Sequence, residues 1–216
     1  MAEVTREPAL GLRERKKRRT RATLINAAVE LCDRQGFERT TVDQIAAIAD
    51  VSPRTFSRYF ATKDAVAVAL VDEVLGRTAI QLARQPLDVS HFEALRRAYV
   101  AMAKASKLAS AGELSDDRLM CIGRIIVSSP TLRQNALEYR PHALNIELAK
   151  RMGAGVDDHR VKLMSAVWGS ILMTALIHLG DGALDWTRVS IDDIVSRLEA
   201  AFAEFTELVD DVRHSV

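Results

Sequence analysis

Apolar residues recur at helical spacing along almost the whole chain, and β-branched alternation is rare, so the pattern predicts an all-α protein of about nine helices. The first helix is predicted from Leu12 to Gln35, with Leu24, Ala27, Ala28 and Leu31 as its apolar stripe and Gly36 as a left-handed cap followed by Phe37. Thr41 and Gln44 form a capping box opening a short helix whose buried face is Val42, Ile45, Ala46 and Ala49. Asp50 and Val51 make a tight turn. Ser52 then caps a third helix with Pro53 at its first position and Phe56 and Phe60 along one side. Thr62 caps a fourth helix, expected over 63–85, whose first-turn Lys63 opposes the helix dipole.

Beyond Asp88 the pattern continues. Ser90 and Glu93 read as a second capping box for a helix ending near Leu108, and a helix runs from Asp116 to Ser128. Pro130 fits the first position of a helix reaching Met152, kinked or split at Pro141. From Asp157 to Leu179 the helix is apolar nearly all round, which requires cover on every side. Its apolar run is short of the roughly 20 residues of a membrane span, and Ser165, Ser170, Thr174 and His178 interrupt it. A last helix starts at Ser190. Leu163, Val167 and Ile171 on one helix, with Ile194, Leu198, Phe202 and Phe205 on the other, are the expected dimer interface, four helices meeting across two subunits. The same stripes also read as the core of a monomer.

Composition sharpens this picture at one point. The 216 residues carry a net charge of only +1, yet residues 1–63 hold 13 Lys/Arg against 8 Asp/Glu. A basic head on an acidic body suggests an anionic partner for the head. The densest run is Arg13, Arg15, Lys16, Lys17, Arg18, Arg19 and Arg21. Two distant cysteines, Cys32 and Cys121, argue against a zinc site and fit a reducing compartment, and no secretory signal is seen, so the expected location is the cytoplasm. No Glu-x-x-His pair, Gly-rich phosphate loop or nucleophile elbow is present, so an enzyme is not expected, nor a metal or cofactor.

Helix, tight turn, helix across Thr41–Phe60 is a helix-turn-helix pattern. The run Phe37-Glu38-Arg39-Thr40-Thr41-Val42-Asp43-Gln44-Ile45-Ala46, then Ala49 to Phe56, then Tyr59 to Asp64, resembles the TetR family of bacterial transcriptional regulators. The resemblance implies an all-α homodimer, with a DNA-binding segment at 1–62 and an effector-binding and dimerising segment at 63–216. It further implies a repressor that binds a palindromic operator and is released by a small molecule. It assigns Arg54 and Thr55 to bases or phosphates, and Tyr59 and Lys63 to phosphates. Thr41 is the cap whose helix end meets the backbone. Ser52, Pro53, Ser57, Arg58, Arg18 and Arg19 complete the expected DNA-binding set. Asp50 departs from the usual Gly and Ser57 from the usual aromatic, so Arg58 takes over part of the readout.

In the body, Arg118-Leu119 through Pro130-Thr131-Leu132, with Arg140 and Arg151-Met152-Gly153, is similar to mycofactocin-type TetR regulators, which implies an acyl-CoA-like effector. Met102, Met120, Ile122, Trp168, Leu172 and Met173 are the candidate pocket residues, with Arg118, Arg124 and Arg140 as phosphate partners. The apolar members read equally as core, and the arginines equally as solvated or paired with Glu138 or Asp117. The alternatives are control by a protein partner, no ligand at all, or an activator. A sizeable cavity in the body favours an effector, and a solid core favours a partner.

Overall fold

The computed structural model describes residues 11–109, 113–128, 132–134, 142–177 and 189–214. Among them every regular element is helical: α1 (Leu12–Gln35), α2 (Val42–Ile48), α3 (Pro53–Ser57), α4 (Lys63–Leu82), α5 (His91–Ser106), α6 (Asp116–Ser128), α7 (Ala143–Arg151), α8 (His159–Ile177) and α9 (Ile191–His214). The expected features at Pro130, Arg140, Pro141 and His178 lie outside the described residues.

The local signals act as expected. Thr41 Oγ1 accepts from Gln44 N, and Gln44 Oε1 accepts in return from Thr41 N. Ser52 Oγ and Thr62 Oγ1 cap α3 and α4 by accepting from Thr55 N and Ala65 N. Gly36 has φ 81° and ψ 156°. That is a region essentially reserved for glycine, more restrictive than the αL cap expected. Asp50, at φ 52°, is the only non-glycine with positive φ among the described residues. A short polar side chain tolerates this conformation, which lets the turn form without glycine.

Three expectations shift. α4 ends at Leu82 and α5 at Ser106, each followed by turn residues instead of a further helical turn. The second capping box is half made. Ser90 Oγ accepts from Glu93 N, but the Glu93 carboxylate turns forward to Arg96 Nε (2.8 Å) and Arg97 Nε (2.6 Å). Two guanidinium groups at i+3 and i+4 outcompete one backbone amide for a carboxylate. The hydrogen bond from Arg96 is the main reason the Glu93 carboxyl is held down at about 2, with burial opposing and Arg97 assisting. A carboxyl below its ordinary 4.5 stabilises the fold above that pH and stops doing so as pH falls to about 2. Glu93→Gln is therefore expected to cost on the order of 2 kcal/mol at neutral pH, after allowance for solvent screening. Thermal unfolding from pH 7 down to 2 should show wild type and variant converging at the acid end.

α1, α2 and α3 pack as a compact head on the start of α4. Phe56 and Ile45, each 1% exposed, sit at its centre with Leu24, Ala28 and Phe60. α4 continues into the body and packs on α5, α6 and α7, and α8 lies along α9. One continuous apolar core runs from Leu24 in the head to Leu198 in the body. By length and composition α8 could cross a membrane. Its inner face, Val161, Trp168, Ile171 and Ala175, is buried in the body. Phe92, Phe202 and Phe205 form a ring cluster (Phe92–Phe205 5.0 Å, Phe202–Phe205 6.3 Å), joined to Tyr99 through Trp168.

Candidate DNA interface and effector cavity

The geometry of the head is set by polar contacts that fix the loop from α1 to α2. Gln35 Nε2 donates to Arg39 O (2.8 Å) and Gln44 Oε1 (3.0 Å), while Arg39 Nε donates to Gln35 O (2.6 Å). Lys63 Nζ donates to Phe37 O (3.0 Å) and Glu38 O (3.2 Å) and lies 4.7 Å from the Phe37 ring centre. This accounts for a cation in the first turn of α4: two backbone carbonyls hold it, and the cost of opposing the helix dipole is offset. Arg21 stacks over Phe60 at 5.1 Å, seating the end of the basic run against the segment that follows α3. Gln35 and Arg39 were not among the sequence candidates, because nothing in their spacing marks a loop clasp.

On α3, the Thr55 and Ser52 hydroxyls bond each other (3.0 Å) and Ser57 Oγ donates to Pro53 O (3.1 Å). Arg54 and Arg58 stay exposed one turn apart, and Tyr59 is half-buried beside the core. Arg18 and Arg19 are exposed on the first half of α1. The head therefore presents a basic helix, a short polar helix with two guanidinium groups, and the capped starts of α2 and α3 in one structural unit.

The body holds a partly open cavity of about 180 Å³. Of the candidate pocket residues, Met102, Ile122, Trp168, Leu172 and Met173 line it, and Met120 does not. Its described lining contains no Lys, Arg, Asp or Glu. Arg118 and Arg124 are not phosphate partners in waiting at that cavity. Arg118 donates through Nε and Nη2 to Glu73 (3.2 and 2.8 Å) and through Nη1 to Asn26 Oδ1 (2.9 Å). Arg124 pairs with Asp33. Both links leave α6 for α1 or α4, whereas Leu119, Ile122 and Ile126 of the same helix line the cavity. α6 thus touches the cavity on one side and the head on the other. Cys32 and Cys121 are free and buried, and burial pushes the Cys32 thiol up to about 11, with Cys121 adding to it.

The expected interface residues also redistribute. Ile171 and Leu198, 6% and 4% exposed, belong to the chain's own core. Phe202 and Phe205 are held in the ring cluster, Ile194 lines the cavity, and Val167 packs half-buried on the core. Leu163 is 63% exposed. With Ala166, Ser170, Thr174 and Ile177 it forms an exposed row along α8. An all-round apolar helix carries no sequence phase to say which side its own chain covers.

A tight-turn pair of helices on a third, carried by a helical body, defines a helix-turn-helix DNA-binding protein. Residues 24–70 match the family of bacterial regulatory proteins described as tetR. The chain is 33% identical over 166 residues to the HTH-type transcriptional regulator TcmR of Streptomyces glaucescens, covering 74% of this chain and 73% of that one. Its fold is similar to that of Thermus thermophilus FadR, a TetR-family repressor solved with lauroyl-CoA. There the TM-score is 0.53 at 21% identity, over 85% of this chain and 91% of that one. A TetR-family regulator from Marinobacter aquaeolei VT8 aligns with a TM-score of 0.48 at 17% identity, over 87% and 97% of the two chains. The chain belongs to the TetR family of bacterial transcriptional regulators, a family of DNA-binding proteins and not of enzymes.

Proposed function

We propose that the chain is a repressor that binds a palindromic operator as a homodimer at the nucleoid and is released by a small apolar effector. Residues 1–62 would meet the DNA, and residues 63–216 would hold the effector and the second subunit. In this reading Arg54 and Arg58 reach base edges in the major groove. Thr41, Ser52, Pro53, Thr55, Ser57 and Tyr59 surround them at the backbone, and Arg18 and Arg19 follow phosphates. Lys63 commits two of its three N–H groups to carbonyls and keeps one for a phosphate.

The observation that carries the reading is α6, which lines the cavity with Leu119, Ile122 and Ile126 and is tied to α1 of the head by Arg118 through Asn26 and by Arg124 through Asp33. A ligand that displaces this wall acts on α1 through those two links, and α1 carries the helix-turn-helix.

FadR binds lauroyl-CoA, but the cavity here offers no guanidinium or ammonium to CoA phosphates among its described lining. A small uncharged molecule fits it better. The test is anisotropy titration of the chain's own upstream DNA at fixed salt, with lauroyl-CoA and separately with 4-phenylbutan-2-one. The ketone is expected to weaken DNA binding and lauroyl-CoA to leave it unchanged. Release by lauroyl-CoA alone would overturn the choice of effector class, and indifference to both would return control to a protein partner.

A further inference from the structure

Among the described residues three glycines lie inside helices: Gly76 in α4, Gly123 in α6 and Gly169 in α8. Glycine is the poorest helix former after proline, because its backbone loses the most freedom on folding. A glycine inside a helix is thus a local cost that some gain at that position can offset. Two of the three, Gly123 and Gly169, line the cavity, and Gly76 does not. A Cβ at Gly76 would meet nothing within 4 Å.

A glycine has only backbone with which to line a cavity. Ser165 and Leu172, one turn to either side of Gly169, line it as well, and so do Leu119 and Ile126 around Gly123. Residues three and four apart share one face of a helix, so the position a Cβ would take at each glycine faces the same space. Each glycine stands within the stretch of wall its helix supplies, not at the end of it. The missing side chains therefore broaden the cavity instead of lengthening it. Trp168 and Tyr99, with ring centres 5.5 Å apart, add aromatic surface to the same wall.

We propose that Gly123 and Gly169 are the size-determining positions of the effector site, and that the effector fills the width they leave with a ring, not with a linear chain. This rests on the effector reading above and makes it specific. A linear molecule would leave the broad middle unfilled, and a wall facing a void loses its dispersion contacts. The volume, about 180 Å³, somewhat exceeds the roughly 150 Å³ of an engineered apolar cavity that holds benzene, which suits a substituted ring. The rival explanation is close packing, since a glycine also admits the backbone of a neighbouring helix. The two explanations make opposite predictions for alanine: it stabilises a helix that borders open space and destabilises one that is already in contact.

Two methyl ketones of equal carbon count, 4-phenylbutan-2-one and decan-2-one, compare ring with chain in calorimetric titrations of the full-length protein. The ring ketone is expected to bind more tightly. Gly123→Ala and Gly169→Ala should each weaken it about five- to a hundredfold, the effect of forcing a methyl group against a fitted ring. Decan-2-one can shift past a methyl group and should change by less than about threefold. Without ligand, each variant should melt about 2–4 °C higher than wild type, as Gly76→Ala should. Gly76→Ala should leave both affinities unchanged. A lower melting temperature in either cavity variant, undiminished binding of the ring ketone, tighter binding of decan-2-one to wild type, or binding of neither ketone would each overturn the inference. Ring-selective binding that the alanines abolish, with DNA affinity unmoved by the ketone, would uphold the two glycines and overturn effector release instead.

Discussion

Replacing Arg54 and Arg58 together by alanine is expected to remove most sequence selectivity while sparing general affinity for DNA. The two guanidinium groups are exposed on one side of a five-residue helix and its cap, with the hydroxyls between them engaged locally. A guanidinium that meets a guanine edge in bidentate fashion is worth about 1–3 kcal/mol of discrimination. The pair together should lose about 2–6 kcal/mol against the preferred site if the contributions add. The basic run from Arg13 to Arg21 is untouched, so the sequence-independent, salt-sensitive part of binding should persist. Titration over a randomised pool at fixed salt reads both quantities at once. Unchanged selectivity would remove α3 from the groove. Arg54→Ala alone should relax preference at one base position, because Arg58 stays in place.

The second large effect is expected at Leu163→Glu. Leu163 stands out from α8 at the end of an exposed row of small and apolar residues, Ala166, Ser170, Thr174 and Ile177. Small side chains let two helices approach closely, and a two-fold axis brings each residue near its own copy or the copy of a neighbour. A glutamate in each subunit then buries two like charges without partners, a penalty of several kcal/mol. The dimer should dissociate at least about a hundredfold more readily, with the secondary structure intact by circular dichroism. Sedimentation at several concentrations measures it, and a variant that sediments as the wild-type dimer would place the interface elsewhere. Phe202→Glu is a different experiment: it breaks the ring cluster inside one subunit, so it should lower the melting temperature of the chain itself.

The contrast between Leu163 and Phe202 shows where the sequence was informative. Thr41 with Gln44, Ser52 with Pro53, and Thr62 were legible because each cap closes over three residues, and no distant part of the chain competes for it. Asp50 was legible as a turn for the same reason. Glu93 looked like the other caps and differed because Arg96 and Arg97 offered its carboxylate stronger donors. Arg118 and Arg124 were recognisable as cations needing anions. Glu73, Asn26 and Asp33 lie far enough along the chain that only the packing of α6 against α1 and α4 selects them. Trp168 stood among the candidates by residue type. That its ring would stand between Tyr99 and Phe202 depends on the packing of the wall around it.

The two ties of α6 differ in burial, and this gives the helix a mechanical asymmetry. Arg118 has a side chain only 12% exposed, while Arg124 and Asp33 stand at 30% and 63%. Six residues separate the two arginines, about 9 Å along the axis. Dissolved ions weaken the outer tie before the inner one. In the proposed release, α6 would act as a lever with its fulcrum near Glu73 and its looser end against Asp33, three residues before Gly36. Under the proposed release mechanism, ionic strength would then be a second input, setting the stiffness of the joint between cavity and head.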